Sequence, residues 1–372
     1  MTPVATWRPG YSFSRFGCGI YAAEGIACDS LAREIGRETQ RDFEGKKGIA
    51  LKKLPIVTIG GGSGQFVLLS GLRPSRKFRI TSVVSMVDSG GSTGRLRGEF
   101  GILPPGDLLK CILALSPQPE LARTILLKRF TKDRRLRGHN AGNMLLTMLS
   151  RYTGSFPSGV QALGEILDVQ GRILPVTTDK ATLVAELTDG SRIYGEQAID
   201  MPRGTQREKI RAVYLVPHHA DQVTVYPPVV TAIQKAALII LGPGDLFTSI
   251  IPNLIVPGVT EALKAASAPV YYVINLMTKY GETHRFKARD FVIELEKVLE
   301  RRVDGIVYNT AVPDAGLVKA YARQKAELVK VDQADGWWQN RHLQAGDLLE
   351  TTGGVVRHDA RKLAAVIEKM AF

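Results

Sequence analysis

From Leu54 onward the chain repeats one pattern: a short apolar run, a glycine-rich or polar turn, then apolar positions at helical spacing. The runs IVTIG (56–60), ITSVVSMV (80–87), ALIILG (237–242), VYYVIN (270–275) and GIVYN (305–309) predict strands. Between and after them the spacing predicts helices at 64–71, 106–115, 120–130, 141–151, 158–167, 248–252, 258–266, 288–300 and 315–323. Strands alternating with helices imply a parallel sheet covered on both faces, with a crevice beyond the carboxyl ends of the strands. Residues 173–199 break the rhythm: apolar and polar positions alternate, and Asp189-Gly190 is a hairpin signal. A small antiparallel β insertion is expected there, near 173–217. Residues 1–53 follow neither pattern and read as an N-terminal extension, with a weak polar helix candidate near 29–43; residues 54–372 read as one domain.

The apolar content of 44% over 372 residues supports a sizeable core. The longest apolar runs, such as AALIIL at 236–241, fall well short of the roughly 18 residues that cross a bilayer. No membrane span is expected, and Glu24 with scattered glycines interrupts any secretory core, so the expectation is a cytoplasmic protein. Cys18, Cys28 and Cys111 have neither metal-ligand spacing nor an even number for disulfides, and Cys111, in LLKCILAL, reads as core. A formal charge of +13 calls for an anionic partner: nucleic acid, an anionic membrane surface or a phosphorylated small molecule. The basic run LKRFTKDRRLRGH (127–139) reads first as a solvated loop. Nucleic acid is disfavoured because no helix-turn-helix, zinc finger or aromatic RNA-binding box accompanies it.

The chemistry-bearing residues cluster where strands end. After the first strand come Gly60, Gly61, Gly62, Ser63 and Gly64, then an apolar helix whose free N–H groups and positive dipole end face the turn. That layout suits a phosphate on bare backbone, although the spacing is neither a Walker loop nor the usual dinucleotide fingerprint. VDSGGSTGRLRGEFGILPPGD (87–107) sets Asp88 at the end of the second strand, where a carboxylate can meet a ribose hydroxyl or hydrated Mg²⁺. Arg95 and Arg97 follow within reach of a phosphate, and Asp107 reads equally as a site residue and as a first-turn acid. GHNAGN groups His139, Asn140 and Asn143 at a helix entry. LGPGDLFTS repeats the opening layout with Gly242, Gly244, Asp245, Thr248 and Ser249, and NLMTKYGET sets Asn275 at a strand end with Glu282 and Thr283 beyond it. Two such turns in one sheet favour a nucleotide with its diphosphate in the crevice. His218-His219 and Trp337-Trp338 read as surface and packing residues.

Taken in order, TIGGGSGQ, VDSGGSTGRLRGEFGILPPGD, GHNAGN, LGPGDLFTSIIPNLIVPGV, NLMTKYGET and VVRHDARKLA resemble the CofD-like superfamily, and within it the gluconeogenesis-factor (YvcK-type) branch, related to phospholactate transferase. The resemblance implies an α/β, Rossmann-like three-layer αβα core with a mainly parallel central sheet. It implies a crevice for a UDP-sugar or another nucleotide diphosphate, and a role in cell shape and cell-wall synthesis. The transferase relatives move a phospholactyl-type group from a nucleotide diphosphate donor with Mg²⁺ near a pair of acids. Where they read Asp-Asp this chain has Asp88-Ser89, which weakens a metal site at Asp88 and puts catalysis in doubt more than binding. Carried over residue by residue, Gly60 to Gly64 would meet the diphosphate and Asp88 a ribose or metal; Ser89, Arg95, Gly242 and Gly244 stand beside them as further nucleotide-binding candidates from the strand-end clusters. Asn143 and Asn275 would line the crevice, and Tyr321 and Arg357 would belong to the sugar-nucleotide pocket. Residues 1–53 extend beyond the family's usual start and read as disordered or mis-started. A homodimer is left open.

Overall fold

The computed structural model describes residues 53–132, 135–202 and 207–371; the extension expected at 1–53 lies outside them, Lys53 apart. Among the described residues twelve strands follow in chain order: β1 (Leu54–Gly60), β2 (Phe78–Val84), β3 (Arg172–Pro175), β4 (Ala181–Leu187), β5 (Arg192–Tyr194), β6 (Ile210–Pro217), β7 (Leu238–Leu241), β8 (Val270–Val273), β9 (Gly305–Asn309), β10 (Leu343–Gly346), β11 (Leu349–Glu350) and β12 (Arg357–His358). Seven of them form one sheet in the order β10-β9-β8-β7-β1-β2-β3, every neighbouring pair parallel. The chain winds from β1 outward to β3, then returns and winds the opposite way from β7 to β10. The reversal falls between β1 and β7, where Ile56 to Ile59 pair with Leu238 to Leu241. In a doubly wound sheet that switch point opens a crevice beyond the strand ends.

Helices cover the sheet because their apolar faces must be buried. Helix Gly106–Leu115 buries Leu108, Leu109 and Cys111 to Leu115, so Cys111 is core as the sequence suggests. Helix Ala288–Leu299 buries Phe291, Val292 and Leu295 at helical spacing. Helices Ala141–Tyr152, Phe156–Ile166 and Ala315–Arg323 begin at Asn140, Ser155 and Asp314, each of whose side chains accepts a first-turn amide proton. Among the described residues no single helix is long and apolar enough to cross a membrane.

The antiparallel insertion is present as β5-β4-β6, and Asp189-Gly190 turn β4 into β5. It begins later than the alternation suggested. Arg172 to Pro175 pair in parallel with Thr81 to Val84 as the edge of the main sheet, and the exposure of an edge strand gives them their mixed pattern. The second strand ends at Val84, not at residue 87, because its neighbour β1 ends at Gly60 and offers no further backbone. Several elements escape the apolar pattern, among them helix Pro227–Gln234, β11, β12 and the three that follow. Helix Gly91–Phe100 contains glycines at 91, 94 and 98, poor helix formers, and β10 (LQAG) lacks β-branched residues. Helix Ala360–Ala371 closes the chain by burying Leu363, Ala364 and Ile367. Where an ordinary helix was expected at 248–252, a π turn spans Leu246–Ile250: the Asp245 carbonyl accepts from both Ser249 and Ile250.

Candidate functional site

The turns after β1 and β7 meet at the switch point. Gly62 holds φ at +64°, a left-handed conformation that favours glycine. Gly64 answers a different need: a Cβ there would lie 2.3 Å from the Pro243 carbonyl oxygen, so the two turns pack backbone on backbone. Beneath them Gln65 donates to Thr58 Oγ1 (2.7 Å) and Ser82 Oγ (3.0 Å), and Asn253 donates to the carbonyls of Gly60 (3.3 Å) and Ser249 (2.8 Å). Asn275 Oδ1 accepts from the Gly244 amide at 3.4 Å. The buried Gln65 and Asn253 fix the turns from below, and half-buried Asn275 holds the second turn from the crevice side.

Above the turns lies a crevice of about 820 Å³. Gly61, Gly62, Ser63, Gly64, Asp88, Gly244, Asn275, Tyr321 and Arg357 line it, residues drawn from positions 61 to 357. The Tyr321 hydroxyl accepts the Val356 amide proton at 2.9 Å and so brings the β11–β12 hairpin, with Arg357, to the rim. Gly60 and Gly242 belong to the turns but are not on the crevice wall.

Ser89, Arg95 and Asn143 are not brought into this crevice. Ser89 turns its hydroxyl to accept the Gln197 amide (3.0 Å), and exposed Arg95 donates to the Arg137 carbonyl (2.7 Å). Both border a separate shallow depression with Ser92, Arg129 and Gln197. Asn143 is buried behind it: its amide caps on Asn140, and its side chain donates to Ser92 Oγ, itself 2.9 Å from His139 Nδ1. The described residues of the basic run, 127–132 and 135–139, lie outside helix and strand with Lys128, Arg129, Lys132, Arg135 and Arg137 exposed, and Arg129 bridges Asn140. His218 and His219 are exposed, and Trp338 is buried against Trp337.

The sequence reading passed over Lys110, Glu196, Asp200 and Lys279, all of which line the crevice. Two signals could have found some of them: Lys110 stands one turn after Asp107, and Glu196 and Asp200 share a face at i,i+4. Asp107 reaches under the first helix, where its Oδ2 accepts the Gly62 amide proton (2.8 Å) while Oδ1 takes Lys110 Nζ (2.8 Å). Burial opposes the Lys110 charge, but Asp107 outweighs it and holds the ammonium above its usual value. Burial, then the charge of Asp107, raises the Asp88 carboxyl above the ordinary range. Burial and the charges of Asp88 and Asp200 push Glu196 up to about 7.

A second charged group sits under the β7 turn. Lys279 Nζ contacts Asp200, Asp245 (2.7 Å) and Glu282 (3.3 Å). Glu282 is 1% exposed; burial and Asp245 push it to about 8, while Thr248 donates its hydroxyl to it. The three carboxylates could hold a metal ion by spacing, but the ammonium already compensates them.

In all, six carboxylates (Asp88, Asp107, Glu196, Asp200, Asp245, Glu350) and four cations (Lys110, Arg123, Lys279, Arg357) line the crevice. The wall is therefore richer in acid than the chain's +13 would suggest. Hard carboxylate oxygens at Asp88 and Glu196, with the Thr93 hydroxyl beside Asp88, suit a magnesium ion, which takes one or two carboxylates and completes its shell with water and phosphate. The donor set fits the ion despite serine at 89.

A family model described as 2-phospho-L-lactate transferase CofD matches residues 56–349. A putative gluconeogenesis factor of Thermotoga maritima is 38% identical over 323 residues, covering 86% of this chain and 99% of that protein. The gluconeogenesis factor of Bacillus subtilis is 36% identical over 318 residues, 85% of this chain and 98% of its own. The crystal structure of protein BH3568 from Bacillus halodurans matches with a TM-score of 0.79 at 34% identity, over 85% of this chain and all of that one. The chain belongs to the CofD family, in company with proteins named gluconeogenesis factors, and is thereby related to phospholactate transferase.

Proposed function

We propose that this chain binds a nucleotide sugar, foremost a UDP-sugar such as UDP-glucose or UDP-N-acetylglucosamine, in the switch-point crevice. Through that binding it acts as a cytoplasmic regulator of cell shape and cell-wall synthesis. The supporting observation is the convergence of Gly61 to Gly64, Gly244, Asn275, Tyr321 and Arg357 on one crevice. The amides of Ser63 and Gly64, at the start of helix Gly62–Leu72, offer donors to a diphosphate, and the helix dipole favours its charge. Arg123 and Arg357 supply guanidinium donors for phosphate or sugar oxygens. A bound Mg²⁺ would supply the charge that lets a diphosphate approach the carboxylates. Asp88 and Glu196 would hold it, while Lys110 neutralises Asp107.

Calorimetric titration with UDP-N-acetylglucosamine, UDP-glucose, GTP and NAD, each with and without Mg²⁺, tests the reading. Saturable binding of a UDP-sugar, unchanged ligand after incubation and loss of binding in Gly62→Val are the expected results. Binding of a guanine nucleotide alone sinks it.

One observation favours a second reading, a Mg²⁺-dependent transferase of a phospholactyl-type group: the carboxylates Asp88 and Glu196 lie together on the crevice wall. Such an enzyme would break the diphosphate bond of its donor and form a phosphate ester on an acceptor hydroxyl, releasing the nucleoside monophosphate. Phosphorus NMR of donor, acceptor and Mg²⁺ with the protein shows or excludes that release.

A further inference from the structure

Arg207 precedes β6 and reaches back to the short helix Glu196–Asp200 of the antiparallel insertion, where its Nη1 donates to the Ala198 carbonyl at 3.2 Å. The other edge of the guanidinium, Nε and Nη2, is buried and has no hydrogen-bond acceptor among the described residues. A buried donor left unpaired is costly, and more so when it is charged. That edge presents two parallel N–H groups, the geometry that takes two oxygens of a phosphate or carboxylate at once.

Two more polar atoms nearby are buried without a hydrogen-bond partner, the Tyr280 hydroxyl and His284 Nδ1. Both belong to the loop after β8, their rings 5.5 Å apart, and Pro202 lies against Gly281 between them, 2.6 Å from where a Cβ would stand. The charge of Arg207 acts on both Tyr280 and His284. Burial, then the charges of Arg285, Lys209, Arg207 and Lys325, lowers the imidazole below its usual value, so the potential around it is positive. Lys325 Nζ stands 4.3 Å from the centre of the Tyr280 ring. Glu282, the acid whose charge reaches Arg207, is itself bonded to Thr248 and paired with Lys279. Arg207 also lines a cavity of about 1070 Å³ with Ile193, Gln197, Met201 and Pro202, and the two acids of that cavity are engaged locally: Asp189 accepts from Ser191, and Glu208 from Thr188.

We propose that the Nε–Nη2 edge of Arg207 seats an oxyanion of the phosphate class, with the Tyr280 hydroxyl and the His284 imidazole as its further partners. None of the three lines the switch-point crevice, so the site stands whether or not a nucleotide binds there. Free phosphate and a phosphate ester present the same oxygens to it, and the cavity beside Arg207 has room for the organic body of an ester. Arg207 holds the helix that carries Glu196 and Asp200, while Tyr280 and His284 flank Glu282 on the loop of Lys279, which already contacts Asp200. A bound anion ties the insertion to that loop a second time, and so acts as an effector that steadies one wall of the crevice.

The test titrates the full chain, in a chloride buffer, with inorganic phosphate and separately with phenyl phosphate, followed by calorimetry and by the thermal midpoint. Saturable binding that raises the midpoint is expected. Arg207→Gln should weaken it at least about tenfold, and Arg207→Lys, which keeps the charge and loses the fork, by a similar factor. Tyr280→Phe removes one hydroxyl and should weaken it about threefold; it decides the matter if the Arg207 variants prove unstable without ligand. Arg357→Ala, in the crevice, should leave phosphate binding unchanged. Tighter binding of phenyl phosphate supports the site and identifies a phosphate ester as its occupant, whereas equal binding of the two supports it for free phosphate. Equal affinity in wild type, Arg207→Gln and Tyr280→Phe overturns the proposal, as does a wild type that binds neither probe at millimolar concentration. Binding lost in Arg357→Ala but kept in Arg207→Gln overturns it as well, by moving the phosphate to the crevice.

Discussion

Asp107 accepts the amide proton of Gly62 at 2.8 Å, so a carboxylate 45 residues away already holds one donor at the start of the first helix. An incoming diphosphate meets that negative charge beside the donors it needs. Asp107→Asn keeps an acceptor for Gly62 and removes the charge. Binding of a UDP-sugar without Mg²⁺ is expected to tighten about three- to tenfold, roughly 0.7–1.4 kcal/mol, while the gain on adding Mg²⁺ shrinks. Calorimetry in EDTA and in Mg²⁺ measures both, and weaker binding under both conditions would show that Asp107 helps the ligand directly.

Gly64 is a packing requirement before it is a ligand contact. With the Pro243 carbonyl 2.3 Å from its missing Cβ, even alanine must push the two turns apart. Gly64→Ala is expected to lose about 2 kcal/mol of stability, in the range for overpacked interiors, and to lose nucleotide with it. Ser63→Ala, at a residue that no such contact confines, should leave the urea midpoint unchanged. Equal midpoints for Gly64→Ala and wild type would refute the close approach.

Glu282 gives the fold a pH dependence of known sign. Its carboxyl moves from an ordinary value of 4.5 to about 8 on folding. Between those values the unfolded chain is ionised while the folded chain keeps its proton, so the folded state binds more protons and stability falls as pH rises. Glu196, raised to about 7, acts in the same direction over the lower part of that window. The Lys279 pKa is raised above its ordinary 10.5, so its linkage acts only at higher pH. The urea midpoint is expected to fall from pH 5 to pH 8, and Glu282→Gln should flatten the slope. A variant as pH-dependent as wild type would place the proton elsewhere.

Arg357 and Tyr321 separate binding from support. Arg357 is exposed and lines the crevice, so Arg357→Ala is expected to change stability by no more than about 0.5 kcal/mol. Its affinity for a UDP-sugar should fall about tenfold, the loss of one charge-assisted contact. Tyr321→Phe leaves the Val356 amide without its partner and should cost about 1 kcal/mol of stability. An Arg357→Ala protein with wild-type affinity would remove Arg357 from the site.

The alternation of apolar runs and helical spacing was enough to establish an α/β fold with a parallel sheet, because both features report which side of each element must be buried. Helix 106–115, strand 305–309 and helix 315–323 agree to the residue. The glycine turns at 60–64 and 242–244 were legible for a related reason, since a glycine cluster after a strand marks unusual backbone. The sequence did not disclose why each glycine is needed. Gly64 faces Pro243, a residue brought near only by the pairing of β1 with β7. Helix Gly91–Phe100 and β10 stayed hidden because their local preferences oppose what packing imposes.

The charges of the crevice were decided by tertiary structure alone. The Ser89 amide meets Glu196 and sets its charge near Asp88, Gly62 meets Asp107, and Lys279 gathers Asp200, Asp245 and Glu282 across separations that no local pattern records. Periodicity tells which way a side chain faces within its own element. Whether two carboxylates from different elements share one low-dielectric space depends on how those elements close on each other, and that geometry sets both their proton affinity and their capacity for a cation.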